Sequence, residues 1–273
     1  MIVKVLVENR AISSEWKKVH GLSLFIETKK HQLLFDLGPS DCLLDNSMNA
    51  GIDLKMIDLV VISHGHQDHG GALGYFININ NSAPIYIRKH VFDHHYSLQP
   101  KGIQKEIGLD IKNAFNQRFV MTDGIEEIDD ELTLFPTMIN MNPSLVSNKN
   151  LFKQTEGIIT SDNFDHEQHL LIHCDQKYVL VSGCSHGGIV NIIETAKTII
   201  GKDPDIVIGG FHLSSTTGLS VSESEVKSLA LKLQSYHSKF YTCHCTGITG
   251  YQVMKSIMKD QLDYISTGNI VLI

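Results

Sequence analysis

The sequence predicts an α+β protein in which two mixed sheets pack together with helices outside. Three observations carry that expectation. The first third of the 273 residues is rich in short apolar, β-branched runs. The last third alternates strand and helix patterns. With 42% hydrophobic and 19% charged residues, the chain has enough apolar surface for a large core. A single domain spanning 1–273 is the corresponding expectation for its organisation.

Taken in order, Val3–Glu8 reads as a strand, and Leu22–Glu27 and Gln32–Phe35 as a hairpin around Thr28-Lys29-Lys30-His31. Ser40 is placed to cap a helix running to about Asn49 and closed by Gly51. Asp58–Ser63 is a strand, followed by a short helix near His69 that carries Ala72–Phe76. Pro84–Arg88 is another strand. Residues 94–118 are poorly patterned and read as a lid or an irregular helical insert. Phe119–Thr122 and Leu132–Phe135 are strands, and residues 136–156, rich in Asn, Ser and Pro, read as a substrate-covering loop. Leu170–Cys174 and Tyr178–Ser182 form a hairpin. Then come helix Ile189–Ile200, strand Asp205–Ile208 and helix Val221–Tyr236, which contains the capping-box pattern Ser222-x-x-Glu225. Strand Phe240–Cys243, helix Ile248–Met258 and strand Asp263–Ser266 complete the pattern.

Composition narrows the function. The net charge of -7 disfavours a broad nucleic-acid surface, which needs a basic field. The five cysteines are odd in number and widely spaced, as expected of free thiols in a reducing compartment. The first ten residues carry charges within an apolar stretch and read as a strand rather than a signal peptide. No apolar run approaches membrane-spanning length. The expected location is cytoplasmic, without a membrane or nucleic-acid partner, and self-association into a homo-oligomer is left open.

The chemistry is concentrated in His64-Gly65-His66-Gln67-Asp68-His69, four metal-competent side chains directly after a strand. In an extended segment, residues two apart point the same way, so His64 and His66 can converge on one cation. Asp68 and His69 follow around the turn and can address a second, giving a two-cation clamp suited to hydrolysis. Further ligands are expected from other strand ends. Gly183-Cys184-Ser185-His186-Gly187-Gly188, Gly209-Gly210-Phe211-His212-Leu213 and Cys243-His244-Cys245-Thr246-Gly247 each follow a strand and precede a helix. A helix opening near Gly187 would offer N–H groups to a phosphate, and Arg88, Lys89 and His90 could add charge or simply form a solvated strand end. His94 and His95 are unassigned. His20, His31, His166, His169, His173 and His237 have no motif behind them.

His64-x-His66-x-Asp68-His69, with Ser63 before it, resembles the signature of the metallo-β-lactamase fold superfamily. Phe35-Asp36-Leu37-Gly38 resembles its early Asp-x-Gly motif, whose carboxylate supports the metal loop. The three later motifs are similar to the 7,8-dihydropterin-6-methyl-4-(β-D-ribofuranosyl)-aminobenzene-5′-phosphate synthase-like branch. The resemblance spans nearly the whole chain. It implies an αββα four-layer sandwich and two divalent transition-metal ions, zinc first, with manganese or iron as alternatives. It further implies that His64, His66 and His186 hold one ion, and Asp68, His69 and His244 the other. The superfamily usually bridges the two ions with an Asp, but Ser182-Gly183-Cys184-Ser185-His186 contains no acid. Cys184 as a thiolate, or water alone, would then bridge. His212 could be a ligand, a general acid or a substrate contact; substrate contact or proton transfer is the favoured role. Asp68 would also orient the attacking water.

The implied activity is a hydrolase or synthase acting on a small phosphorylated or pterin-like metabolite. Alternatives on the same scaffold are a phosphodiesterase, a lactonase or an RNA-processing nuclease. The nuclease should carry a basic arm, and no such segment is present. A non-catalytic metal-binding regulatory module is the rival from another class.

Overall fold

The computed structural model describes residues 1–110, 112, 116–140, 145–214 and 221–273. Two seven-stranded mixed sheets form its centre. From edge to edge, the first runs Ile270–Leu272, Ile2–Val7, Ser23–Glu27, Gln32–Phe35, Leu59–Val61, Ile85–Arg88, Phe119–Thr122. The second runs Leu262–Tyr264, Lys239–Thr242, Ile206–Gly209, Lys177–Val181, His169–Cys174, Leu132–Phe135, Glu126–Glu127.

Side-chain alternation explains the layering. Val3, Val5, Leu24, Ile26, Leu33 and Phe35 of the first sheet pack against Leu132, Leu170, Ile172, Val179, Val181 and Ile208 of the second. Their neighbours in sequence face outward, where Leu6, Leu34 and Val60 meet Leu43, Leu73 and Phe76 from helices Cys42–Asn49 and Leu73–Ile79. On the opposite side, Leu171, Leu180 and Val207 meet Ile192, Ile193, Val226, Ala230 and Met254 from helices Ile189–Ile200, Glu223–Gln234 and Gly247–Met258. This is the αββα sandwich, with apolar surface buried on both faces of each sheet.

Most expected elements are present, with shifted ends. The capping box at Ser222 is formed, although the helix starts at Glu223 and stops at Gln234. Three expectations need correction. Ser40 does not cap the first helix: Asp41 holds that position without a side-chain bond, while Gly51 closes the other end in the left-handed conformation. Residues 94–118, read as a lid or an irregular helical insert, form among the described residues a hairpin of His94–Gln99 and Ile103–Glu106, with the 3-10 turn Pro100–Gly102 at its tip. Residues 136–156 are only partly loop, because Leu151–Thr155 pairs with His94–Gln99 and with Ile158–Ser161. The result is a third, four-stranded sheet assembled from two distant stretches. Parts of both expectations, at 111, 113–115 and 141–144, fall outside the described residues. The strand Ile270–Leu272 was not expected; its three residues are too few to show a period.

Register decides where the chemistry gathers. Gln32–Phe35 and Leu59–Val61 are parallel, as are Lys177–Val181, Ile206–Gly209 and Lys239–Thr242. Their carboxyl ends meet at one rim of the sandwich, where sheet-plus-helix folds place their ligands.

Candidate metal centre

Asp36 sits at the end of Gln32–Phe35 with a left-handed backbone, φ 59°. Its buried carboxylate accepts from Ser63 N–H at 2.7 Å, Ser63 Oγ–H at 2.7 Å and His69 Nδ1 at 2.6 Å. Because the Ser63 hydroxyl donates to Asp36, it accepts from His64 Nδ1, 2.8 Å away. Both His64 and His69 therefore carry a proton on Nδ1 and turn Nε2 inward; against the effect of burial, Asp36 and Asp68 raise His69 to about 8, so its Nε2 is bared for a cation by giving up a proton.

The later strand ends repeat this device. His186 Nδ1 donates to Asn148 Oδ1 at 3.0 Å, and His244 Nδ1 to Asn9 Oδ1 at 2.8 Å. Ser185, His212 and His244 all have positive φ, 57°, 49° and 49°. Such backbone costs on the order of 1 kcal/mol per residue and marks positions where surrounding bonds dictate the geometry.

The expected residues converge. His64 Nε2 lies 3.1 Å from His66 Nδ1, and the donor atoms of His64, His66 and His186 lie within 4.8 Å of one another. Asp68 Oδ2 is 3.2 Å from His244 Nε2 and 3.7 Å from His69 Nε2. Cys184 Sγ lies 3.2 Å from His69 Nε2. It shares three donor groups of the same span: with His64 and His69, with His186 and His212, and with His244 and Cys245. Cys184 thus stands between the two halves of the expected ligand set.

The site fits a cation better than it fits itself. Nε2 of His66, His186 and His212, and Nδ1 of His212, are buried with no hydrogen-bond partner. Leaving such groups unsatisfied costs about 1–3 kcal/mol each. Burial first, and then the neighbouring rings, hold His64, His66 and His186 well below the usual imidazole range, so they are neutral, the ligand form. Burial would raise Asp68, but His69, His20 and His244 outweigh it and keep the carboxyl ionised. Burial pushes the Cys184 thiol upward, so a thiolate there requires a cation beside it.

Of the expectations about anion binding, that for the N–H groups nearest Gly187 is corrected, and Lys89 and His90 follow the alternative of a solvated strand end. The N–H groups of His186 and Gly187 are not open to phosphate; Glu167 takes them with Oε1 at 2.7 Å and Oε2 at 2.8 Å. Burial nevertheless pushes Glu167 up to about 7. Arg88 does not line the histidine cleft. It faces a separate cavity with Asp165 and Glu167, and its Nε donates to the Asp165 carbonyl at 3.0 Å. Lys89 pairs with Asp123, and His90 with Asp93 at 3.0 Å.

The cleft over the centre measures about 300 Å³. His20, Asp68, Cys184, His186, His212 and His244 form its floor, while Ser97, Gln99, Lys105 and Leu151 reach it from the third sheet. Sequence reasoning missed His20, whose Nε2 lies 3.2 Å from Asp68 Oδ2, and the buried trio His95, Asp162 and His166. The expectation that ligands lie past strand carboxyl ends holds for parallel strands. An antiparallel strand enters the same rim instead: Leu170 is paired with Val181, and Leu24 with Phe35. The residues before those strands, His166 and His20, were therefore placed at the site by pairing direction.

Residues 16–149 match the family described as Metallo-beta-lactamase superfamily. The chain is 28% identical to the 7,8-dihydropterin-6-methyl-4-(beta-D-ribofuranosyl)-aminobenzene-5'-phosphate synthase of Methanocaldococcus jannaschii, over 92% of this chain and 89% of that one. It superimposes with a TM-score of 0.81 on Tm1679, described as a metal-dependent hydrolase of the beta-lactamase superfamily, at 26% identity, covering 100% of this chain and 99% of that one. Zn(2+)-bound PqqB from Methylobacterium extorquens shares the fold, with a TM-score of 0.59 at 12% identity, 100% of each chain being covered.

Proposed function

Since the chain belongs to the metallo-β-lactamase superfamily, we propose that it is a metal-dependent hydrolase acting on a small phosphorylated or pterin-like metabolite. The observation that carries this reading is the set of four rings, His64, His69, His186 and His244, each held at Nδ1 from behind so that Nε2 turns toward one centre, with His66 Nδ1 3.1 Å from His64 Nε2. His64, His66 and His186 would hold one divalent ion, and Asp68, His69 and His244 a second, with Cys184 between them. Zinc suits this mixture of imidazole, carboxylate and thiolate. What such ions supply when bound is a water of near-neutral pKa and polarisation of the scissile group.

The chain's own residues do the rest. Asp68, ionised and held by His20 and His244, orients the attacking water through its carboxylate. His212, with both ring nitrogens buried and unpartnered beside His186, holds a proton for the leaving group. Ser97, Gln99 and Lys105 line the wall that a substrate would touch, and Lys105 offers a positive charge to a phosphate.

A second reading, a synthase that builds a phosphorylated pterin compound, is favoured by the name of the Methanocaldococcus relative. One screen separates the two. Metal-loaded protein is assayed against phosphodiesters, phosphomonoesters, lactones and reduced pterin precursors. Hydrolysis of a phosphodiester, lost in His66→Ala with the circular dichroism unchanged, supports the hydrolase. Turnover confined to the pterin precursors supports the synthase. Less than one equivalent of metal after reconstitution overturns both.

A further inference from the structure

Behind His66 lies a second buried cluster that the expected ligand set does not use. One ring nitrogen of His66 lies within 4.8 Å of a carboxylate oxygen of Asp162 and of ring nitrogens of His95 and His166. Asp162 and both of those rings have fully buried side chains. The cluster packs directly on the metal loop: a Cβ added at Gly65 would come within 2.8 Å of His95 Nε2.

An inventory of protons says what the cluster is for. Gly65 N–H donates to His166 Nδ1 at 2.9 Å, so the proton of the neutral His166 ring sits on Nε2. That nitrogen lies 3.2 Å from Asp162 Oδ2 and has no lone pair for a cation. His95 Nδ1 approaches the same oxygen at 3.2 Å, and its Nε2 faces the His90 carbonyl at 3.2 Å. Asp162 Oδ1 accepts from Phe164 N–H at 2.8 Å. A carboxylate has about four lone-pair sites, so one acceptor position on Asp162 remains.

His66 has the complementary need. If its Nδ1, 3.1 Å from His64 Nε2, shares a cation with that nitrogen, the proton of the ring must move to Nε2. Nε2 is buried and without a partner. A small turn of the ring, or one bridging water, brings it to Asp162. We propose that Asp162, held from its far side by His95 and His166, is a positioning residue that acts through His66 and tunes the metal centre. This inference rests on the metal-centre reading above. It also explains why the cluster is not an extra cation site, since His166 has no free lone pair to give.

The test is a Co2+ titration of the full-length wild type and Asp162→Asn, in competition with a chromophoric chelator and followed by visible absorption. Asn keeps the size of the side chain and the acceptor for Phe164 N–H. The expected result is Co2+ affinity weakened about 10–100-fold, with shifted absorption bands and an unchanged far-ultraviolet circular dichroism spectrum. A residue that merely braced the fold would lower stability and leave the bands in place. Wild-type affinity and bands in D162N overturn the proposal. So does loss of one equivalent with the remaining sites unaltered, which would make the cluster a cation site after all. Should D162N fail to fold, Asp162→Ser is held to the same two readouts. A wild type that binds no Co2+ ends the metal-centre reading, and this inference with it. Tight wild-type binding with an indifferent D162N ends this inference alone.

Discussion

Asp36 Oδ2 lies 2.6 Å from His69 Nδ1 and 2.7 Å from Ser63 Oγ, so one buried oxygen fixes the tautomers of His69 and, through Ser63, of His64. The first strand hairpin thereby commands a loop more than twenty-five residues further along the chain. Replacing Asp36 with Ala strands the Ser63 N–H and frees both rings. The expected loss is about 2–4 kcal/mol of stability in urea unfolding, together with loss of metal. A variant unfolding at the wild-type midpoint would show that the carboxylate braces nothing.

Cys184 stands where the superfamily usually has an acid, and its sulfur shares a donor group with residues of both halves of the site. Cys184→Ala is expected to weaken binding of at least one ion about 10-fold or more. The check is elemental analysis after dialysis against a graded chelator. Unchanged occupancy would leave the bridging role to water.

Stripping the metal should also be visible in thermal melting. An ion present at about 100 times its Kd contributes about 2.7 kcal/mol to the native state. At about 2–4 °C per kcal/mol for a chain of this size, chelation should lower the Tm by about 5–10 °C. Readdition of zinc should restore it. A chelated sample melting with the untreated one contradicts a cation-dependent native state.

Away from the centre, His31 bridges Asp129, at 2.8 Å, and Asp58, at 3.3 Å. Burial opposes its charge, but the two carboxylates prevail and raise its pKa above the ordinary imidazole value. The folded pKa exceeds the unfolded one. The stabilisation is therefore complete below the unfolded pKa of about 6.5 and disappears as pH rises through the folded value. His31→Gln should cost about 0.5 kcal/mol more at about pH 5.5 than at about pH 8.5. Equal costs at the two pH values would remove the ion pairs from the account.

What was legible in the sequence follows from how each signal is carried. The two large sheets were readable because their strands alternate or run fully apolar and are bounded by turn residues, as in Gln32–Phe35 and Lys177–Val181. The small sheet was not: Ile103–Glu106 and Ile158–Ser161 are exposed along their whole length and show no apolar period. The residues facing the cleft from parallel strand ends were readable by position. His20 and His166 were not, because their place depends on which neighbour their strand pairs with, and pairing direction leaves no local mark. Asn9, Asn148 and Glu167 are single polar side chains whose roles exist only through the groups they touch.

The four-stranded sheet shares no strand with either half of the sandwich, yet it supplies one wall of the cleft. The sheet therefore touches the site twice, through Ser97, Gln99 and Lys105 on the cleft wall and through His95, packed behind the metal loop. Under the proposed function, exchanges at Ser97, Gln99 or Lys105 are expected to change which substrate is accepted while metal content stays at the wild-type level. A lineage could thus change its diet while keeping its hearth.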